Sequence, residues 1–214
     1  MRLAELSRRS GVSTATIKYY LREGLLPPGR QINPTTAEYD DGHLRRLRLV
    51  RAMIQVGGVP VATVREVLRN VDDPALGRTI RLGAALWALP QVPEPDEDDV
   101  FVQAAHREAD ELLDRLGWSN AKLLTTLSPA YRALVVAVAT FRRLGYDWGS
   151  ELLLSYARLM HEVAKLDLDL VEAQPSEAEK AETAVLGTVL TGPMLHALRR
   201  LAQEEESARR FGFE

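Results

Sequence analysis

Between Ser13 and Tyr20 the chain carries Ser13, Thr14, Thr16, Lys18, Tyr19 and Tyr20, a set of hydroxyls, one ammonium and two adjacent phenols within about two helical turns. Short hydroxyl side chains and a cation on one helix are the groups that meet base edges and phosphates when a helix enters a major groove. Arg30 and the basic run from His43 to Arg51, with Arg45, Arg46 and Arg48, add further cations nearby in sequence. Other chemistries find no footing. No nucleophile has a base near it, and neither a glycine-rich phosphate loop nor paired carboxylates in an apolar setting occur, so an enzyme is not expected. Cysteine is absent, which excludes thiolate metal sites, and His106, His161 and His196 lack ligand spacing. No metal and no cofactor is expected. Glu108, Asp110, Glu111 and Asp114 read as one solvated helical face.

The charge distribution agrees with that start. Over 214 residues the net charge is −3, but residues 1–75 hold 12 Lys/Arg against 8 Asp/Glu, while residues 76–214 hold 15 against 22. A basic front and an acidic rear suggest an arm for a polyanion and a body with another task. Apolar residues at 46% and charged residues at 27% are ordinary for a globular protein and exclude a disordered or collagen-like chain. The N-terminus reaches charge at once, and the longest strongly apolar run, Ala133 to Phe141, is nine residues. A membrane span needs about 20. The expectation is a soluble, cytoplasmic protein with no membrane partner.

The elements that would position these residues are legible from caps and periodicity. Arg2–Arg9 reads as a helix, Ser10-Gly11-Val12 as a turn, and Ser13 as the N-cap of a helix from Thr14 to Glu23, with Gly24 closing it. Pro27-Pro28-Gly29 and Asn33-Pro34 bracket a hairpin-like stretch up to Tyr39. Asp40 or Asp41 can cap a helix from Gly42 to Gln55, ended by Gly57-Gly58, and Pro60 opens another. Pro90 to Asp99, with three prolines and four consecutive acids, reads as a linker. Beyond it the helices expected are Asp99–Leu116, one from Ser128-Pro129 through the middle of the rear domain, Glu151–Leu170, and one capped at Ser176 and kinked at Gly192-Pro193. The fold class expected is therefore all-α apart from the hairpin: a winged helix-turn-helix over 1–75, a connecting helix and linker over 76–99, and a helical dimerisation or effector domain over 100–214.

The first third of the chain resembles the MerR family of transcription regulators. The resemblance rests on Leu3-Ala4-Glu5-Leu6, Ser10-Gly11-Val12-Ser13, Thr16-Ile17-Lys18-Tyr19-Tyr20 and Glu23-Gly24-Leu25-Leu26-Pro27-Pro28. It continues through Tyr39-Asp40-Asp41, the basic helix from His43, and Val56-Gly57-Gly58-Val59. It implies a homodimer on a palindromic operator in double-stranded DNA, with RNA polymerase as a promoter partner. By that analogy Ser13, Thr14, Thr16 and Lys18 face base edges or phosphates, Tyr19 and Tyr20 divide between phosphate contact and packing, and Arg30 reaches phosphate. Arg45 is the DNA-binding candidate of a basic run of which only some members can face the duplex, a solvated basic face being the alternative. Two departures stand out. Thr35-Thr36-Ala37-Glu38 replaces the family's Gly-Tyr-Arg wing run, so the wing's contact with the DNA backbone is expected to be either weaker or rebuilt around Arg30, Gln31, Asn33 and the two threonines. The long dimerisation helix is cut short at Pro90, after Leu76, Ile80, Gly83, Leu86 and Trp87, so the C-terminal helices are expected to supply much of the dimer interface.

Residues 100–214 look loosely like the ligand-binding half of TetR-type regulators. Trp118, Tyr131, Phe141, Trp148 and Tyr156 are candidates to line a pocket for a small hydrophobic effector, with core filling as the plain alternative. The leading function is a sequence-specific DNA-binding regulator. The alternatives are a ligand-sequestering protein that controls its own synthesis and an effector-free architectural DNA-binding protein.

Overall fold

The computed structural model describes residues 1–34, 36–73, 75, 77, 83, 85–146 and 149–212. The chain divides into two compact units, Met1–Leu89 with Val171–Glu214, and Pro90–Leu170. The expected all-α architecture with an N-terminal helix-turn-helix is observed.

In the first unit α1 (Leu3–Ser10) and α2 (Thr14–Arg22) are joined by a tight turn. Gly11 adopts φ 67°, which its missing Cβ permits, and its amide closes α1 on Ser7 O at 2.9 Å. The Ser13 hydroxyl accepts from the Thr16 amide at 3.1 Å and so caps α2 as expected. The wing is a two-stranded antiparallel hairpin, β1 (Arg30–Asn33) and β2 (Thr36–Glu38), with its register shifting between Gln31 and Asn33. Asp40 then caps α3 (Asp41–Arg51), with its carboxylate on the His43 amide and the His43 ring accepting from the Asp40 amide. A π-helical turn, Ala52–Val56, extends α3 to Gly57, and α4 (Val61–Asp72) follows Pro60.

One core runs through this unit. Leu6, Ile17, Leu25, Leu26, Leu47, Val50, Met53, Val64 and Val67 are all buried in it. So are Ala181, Val185 and Val189 of the last helix, α9 (Glu177–Phe211), which packs on the π-helical turn and on α4. This helix lies in the segment assigned by sequence to the rear domain. Its small and β-branched residues recur every fourth position, and that stripe is what docks on the front unit. Ala85, in the stretch after α4, joins the same core, whereas Leu76 and Ile80 lie outside the described residues.

The second unit contains α5 (Val100–Leu116), α6 (Ser119–Leu123), α7 (Pro129–Arg143) and most of α8 (Gly149–Glu172). Asp99 caps α5, Ser128 caps α7, and Gly117 ends α5 at φ 67°. The sequence reading puts α7 through the middle of its domain, and this is corrected. Only Val135 and Ala139 of α7 are buried, because α7 packs chiefly on α5 around Val102, Ala105 and Ala109, while Phe141 stays exposed. Gly192-Pro193 does not interrupt α9, which is helical from end to end. Ser176 caps α9, but its hydroxyl donates to the Glu179 carboxylate at 2.9 Å, so that carboxylate is engaged by the side chain of the cap residue.

Candidate nucleic-acid interface

The two faces of α2 separate cleanly. Ile17 and Tyr20 point into the core, while Ser13, Thr14, Lys18 and Tyr19 are exposed. Adjacent helical residues lie about 100° apart, so the two tyrosines cannot share a face. Tyr20 is 6% exposed, which corrects its candidacy as a contact residue; burial pushes its phenol above the ordinary tyrosine range, partly offset by the Arg51 charge. Tyr19 keeps its ring at the surface, tilted against Tyr20 at 5.9 Å. Thr16 is half-buried, and its hydroxyl shares a 2.8 Å hydrogen bond with that of Ser13. Lys18, Arg22 and Arg48 are exposed and have no hydrogen-bond or ion-pair partner among the described residues.

Two arginines hold α2 in place, and neither was recognised from sequence. Arg51 donates from Nη1 to Ser10 O at 2.9 Å, tying α3 to the turn that launches α2. Arg65 on α4 donates from Nε to Glu23 O at 2.8 Å and pairs with the Glu23 carboxylate, fixing the far end of α2. Each brace joins residues more than 40 positions apart, so no local pattern marks it. Ser7 adds a 2.6 Å hydrogen bond to Val12 O inside the turn.

Arg30 opens the wing, as expected, but it is ion-paired across the hairpin with Glu38. That arginine depresses the Glu38 carboxyl below its ordinary range. Gly29 precedes it where a Cβ would lie 2.8 Å from Glu38 O and 2.9 Å from the Tyr39 ring, so only glycine lets the wing meet Tyr39. Thr35 lies outside the described residues. On α3 the basic run divides. Arg46 is largely buried and pairs with Asp72 and Glu182; Arg45 is half-exposed but faces Glu179 and Glu182 of α9. The region is thus a basic α2 face with a wing and a basic helix whose cations are partly answered by carboxylates. Hydroxyls and fixed cations in this arrangement are groups that can hold an anion.

Comparison with known proteins agrees with this geometry. Residues 1–71 match the MerR HTH family of regulatory proteins. The N-terminal part of the chain is a MerR-family helix-turn-helix domain. Two curated relatives align within it: the HTH-type transcriptional regulator AdhR of Bacillus subtilis (strain 168), 28% identical over 27% of this chain and 41% of its own length, and the HTH-type transcriptional regulator ZntR homolog of Haemophilus influenzae, 32% identical over 23% of this chain and 37% of its own. The chain therefore spans about two fifths of the length of these relatives. Over its whole length it is similar to a solved Streptomyces coelicolor A3(2) protein, SCO5550, designated a transcriptional regulator. The two are 65% identical with a TM-score of 0.88, over 100% of this chain and 99% of that one. The MerR-type domain and these relatives support DNA-binding regulation of transcription and give no support to catalysis. No described helix is long and apolar enough to cross a membrane.

The structure describes four of the five aromatic residues proposed for an effector. Trp118 lies against His161 with ring centroids 5.8 Å apart, Phe141 is exposed, Tyr156 is half-buried on α8, and Trp148 lies outside the described residues. Tyr131 lines a cleft of about 570 Å³ in the second unit, beside Glu97, His106, Asp110, Thr125 and Arg132. Its hydroxyl donates to Asp110 at 2.7 Å and lies 3.1 Å from His106 Nδ1, whose Nε2 lies 3.1 Å from Glu97. Burial and then the Asp110 hydrogen bond push the Tyr131 phenol well above its ordinary range. Most of the residues lining this cleft are charged or hydroxyl-bearing.

Proposed function

We propose that the protein is a sequence-specific DNA-binding regulator of the MerR type that reads double-stranded DNA with the exposed face of α2 and acts as a homodimer on a palindromic operator. The observation that carries this reading is the face itself. Ser13, Thr14, Lys18 and Tyr19 are exposed on a helix braced at both ends by Arg51 and Arg65, and Lys18 has no described partner to displace. Such a face offers hydroxyls to base edges and an ammonium to phosphate. Arg22 and Arg48 are the further cations in reach of backbone contact, and Arg30 must leave Glu38 to join them. RNA polymerase as a promoter partner and a cytoplasmic location follow by analogy with the family.

Pairing of two copies is favoured by α8. Leu152, Tyr156, Leu159, Val163, Leu166 and Leu170 recur at alternating intervals of four and three, and the four leucines are exposed. That is heptad spacing, and an antiparallel partner centred near His161 would set each residue against an apolar one. A small effector held in the second unit is a further part of this reading, with Tyr131 lining a cleft there.

The test is selection of bound genomic fragments followed by binding of Lys18→Ala to the selected duplex. The variant should bind more weakly, with the salt slope reduced by about 0.9. Protein that prefers no duplex over random competitor overturns the reading, and a strictly monomeric protein at working concentration overturns its dimeric part.

A further inference from the structure

The C-terminal helix reaches the basic helix of the DNA-binding domain with carboxylates. Glu179 Oε1 lies 3.5 Å from Arg45 Nε, and Glu182 places one carboxylate oxygen 4.0 Å from Arg45 Nε and the other 3.6 Å from Arg46 Nε. Asp72 completes the group by pairing with Arg46. Two guanidinium groups therefore meet three carboxylates, and part of a stretch that is basic in sequence is answered by acids in space. The two arginines differ in freedom: the Arg46 side chain is 12% exposed and the Arg45 side chain 47%. Arg46 is locked, whereas Arg45 can turn to another anion.

Carboxylate and phosphate oxygens satisfy a guanidinium fork in the same way, so they compete for it. The carboxylates here are held in place by packing. Ala181, Val185 and Val189 are buried in the core of the first unit, and Val189 fills the space that a Gly57 side chain would need. We propose that Glu179 and Glu182 are an intramolecular rival of DNA phosphate for Arg45, so that the docking of α9 sets operator affinity from the far end of the chain. The proposal rests on the reading of Arg45 as a phosphate contact. Any event that lifts the start of α9 from α3 returns one cation to the DNA-facing surface, and any event that tightens it withdraws that cation.

The experiment measures binding of the full-length protein to its selected operator between about 50 and about 200 mM KCl, a range over which phosphate contacts change affinity strongly. Glu179→Gln, Glu182→Gln and the double variant are each made with Arg45 intact and with Arg45→Ala. With Arg45 intact, each amide should tighten binding roughly two- to fivefold, and the double variant should steepen the salt slope by up to about 0.9. With Arg45→Ala both gains should vanish. No gain from Glu179→Gln, the more exposed of the two and so the safer variant for folding, overturns the proposal. A gain of equal size without Arg45 also overturns it, because the effect is then general charge repulsion. If Arg45→Ala leaves the affinity of the double variant unchanged, the reading of Arg45 as a phosphate contact fails. If Arg45→Ala weakens binding but the amides give no gain, that reading stands and the rivalry alone is refuted.

Discussion

Replacing Gly57 with alanine tests whether the last helix belongs to the DNA-binding unit. Gly57 has φ −77°, a conformation alanine adopts without strain, so in open space the substitution would stabilise the protein by roughly 0.4–1 kcal/mol through the unfolded state. The space is not open. An added Cβ would lie 2.5 Å from Val189 Cγ1 and 2.9 Å from Met53 O. Carbon atoms in contact prefer about 3.5–4.0 Å, so α9 must retreat by about 1 Å or Val189 must leave its rotamer. Overpacking of that kind costs about 1–3 kcal/mol. Urea unfolding followed by far-UV circular dichroism would measure it. Gly57→Ala should lower stability by about 1–2 kcal/mol, and combination with Val189→Ala should recover at least half of that, the Met53 carbonyl accounting for the remainder. Gly58→Ala supplies the contrast. Gly58 sits at φ 62° with nothing within 4 Å of its missing Cβ, so its cost of about 1–2 kcal/mol is a backbone cost that Val189→Ala should not relieve. A neutral or stabilising Gly57→Ala, or one whose full cost survives in the Val189→Ala background, would refute the docking of α9 at this turn.

Ser13→Ala removes the α2 cap and should cost about 1 kcal/mol, with Ser13→Asp retaining most of it; an alanine variant as stable as the parent would dismiss the cap. Tyr131 gives a pH prediction whose sign is fixed by its environment. Its phenol is held protonated in the folded state above the ordinary value of about 10, so its contribution is complete below that pH and declines as pH rises toward the folded value. The stability gap between the parent and Tyr131→Phe should therefore narrow from about pH 10 upward in chemical denaturation; a constant gap to the end of the accessible range would show that the Asp110 hydrogen bond does not persist in solution.

Glu182 illustrates how one position serves two opposed demands. Burial raises its carboxyl above the ordinary range, against the lowering pull of Arg46 and Arg45. A half-buried carboxylate between two guanidinium groups adds little net stability, since desolvation offsets much of the Coulomb gain. What it fixes is geometry: which of the basic side chains on α3 are committed within the protein and which remain for an anion from outside.

The local features of both units were legible because each is decided within a few residues. Ser13, Asp40, Asp99, Ser128 and Ser176 all cap the helices they precede, and Gly11, Gly24 and Gly117 all take the left-handed conformation that ends one. The residue pattern from Leu3 to Val59 carried the helix-turn-helix and its hairpin because turn glycines, caps and apolar periodicity are short-range. The folded chain alone decided which tyrosine of the adjacent pair was core, that Arg30 is answered by Glu38, and that Arg45 and Arg46 face acids more than 130 residues away. Periodicity says that α9 has an apolar stripe; it cannot say against which element the stripe is buried. That choice belongs to shape and charge in three dimensions, where Gly57 leaves room for Val189 and the arginines of α3 accept Glu179 and Glu182.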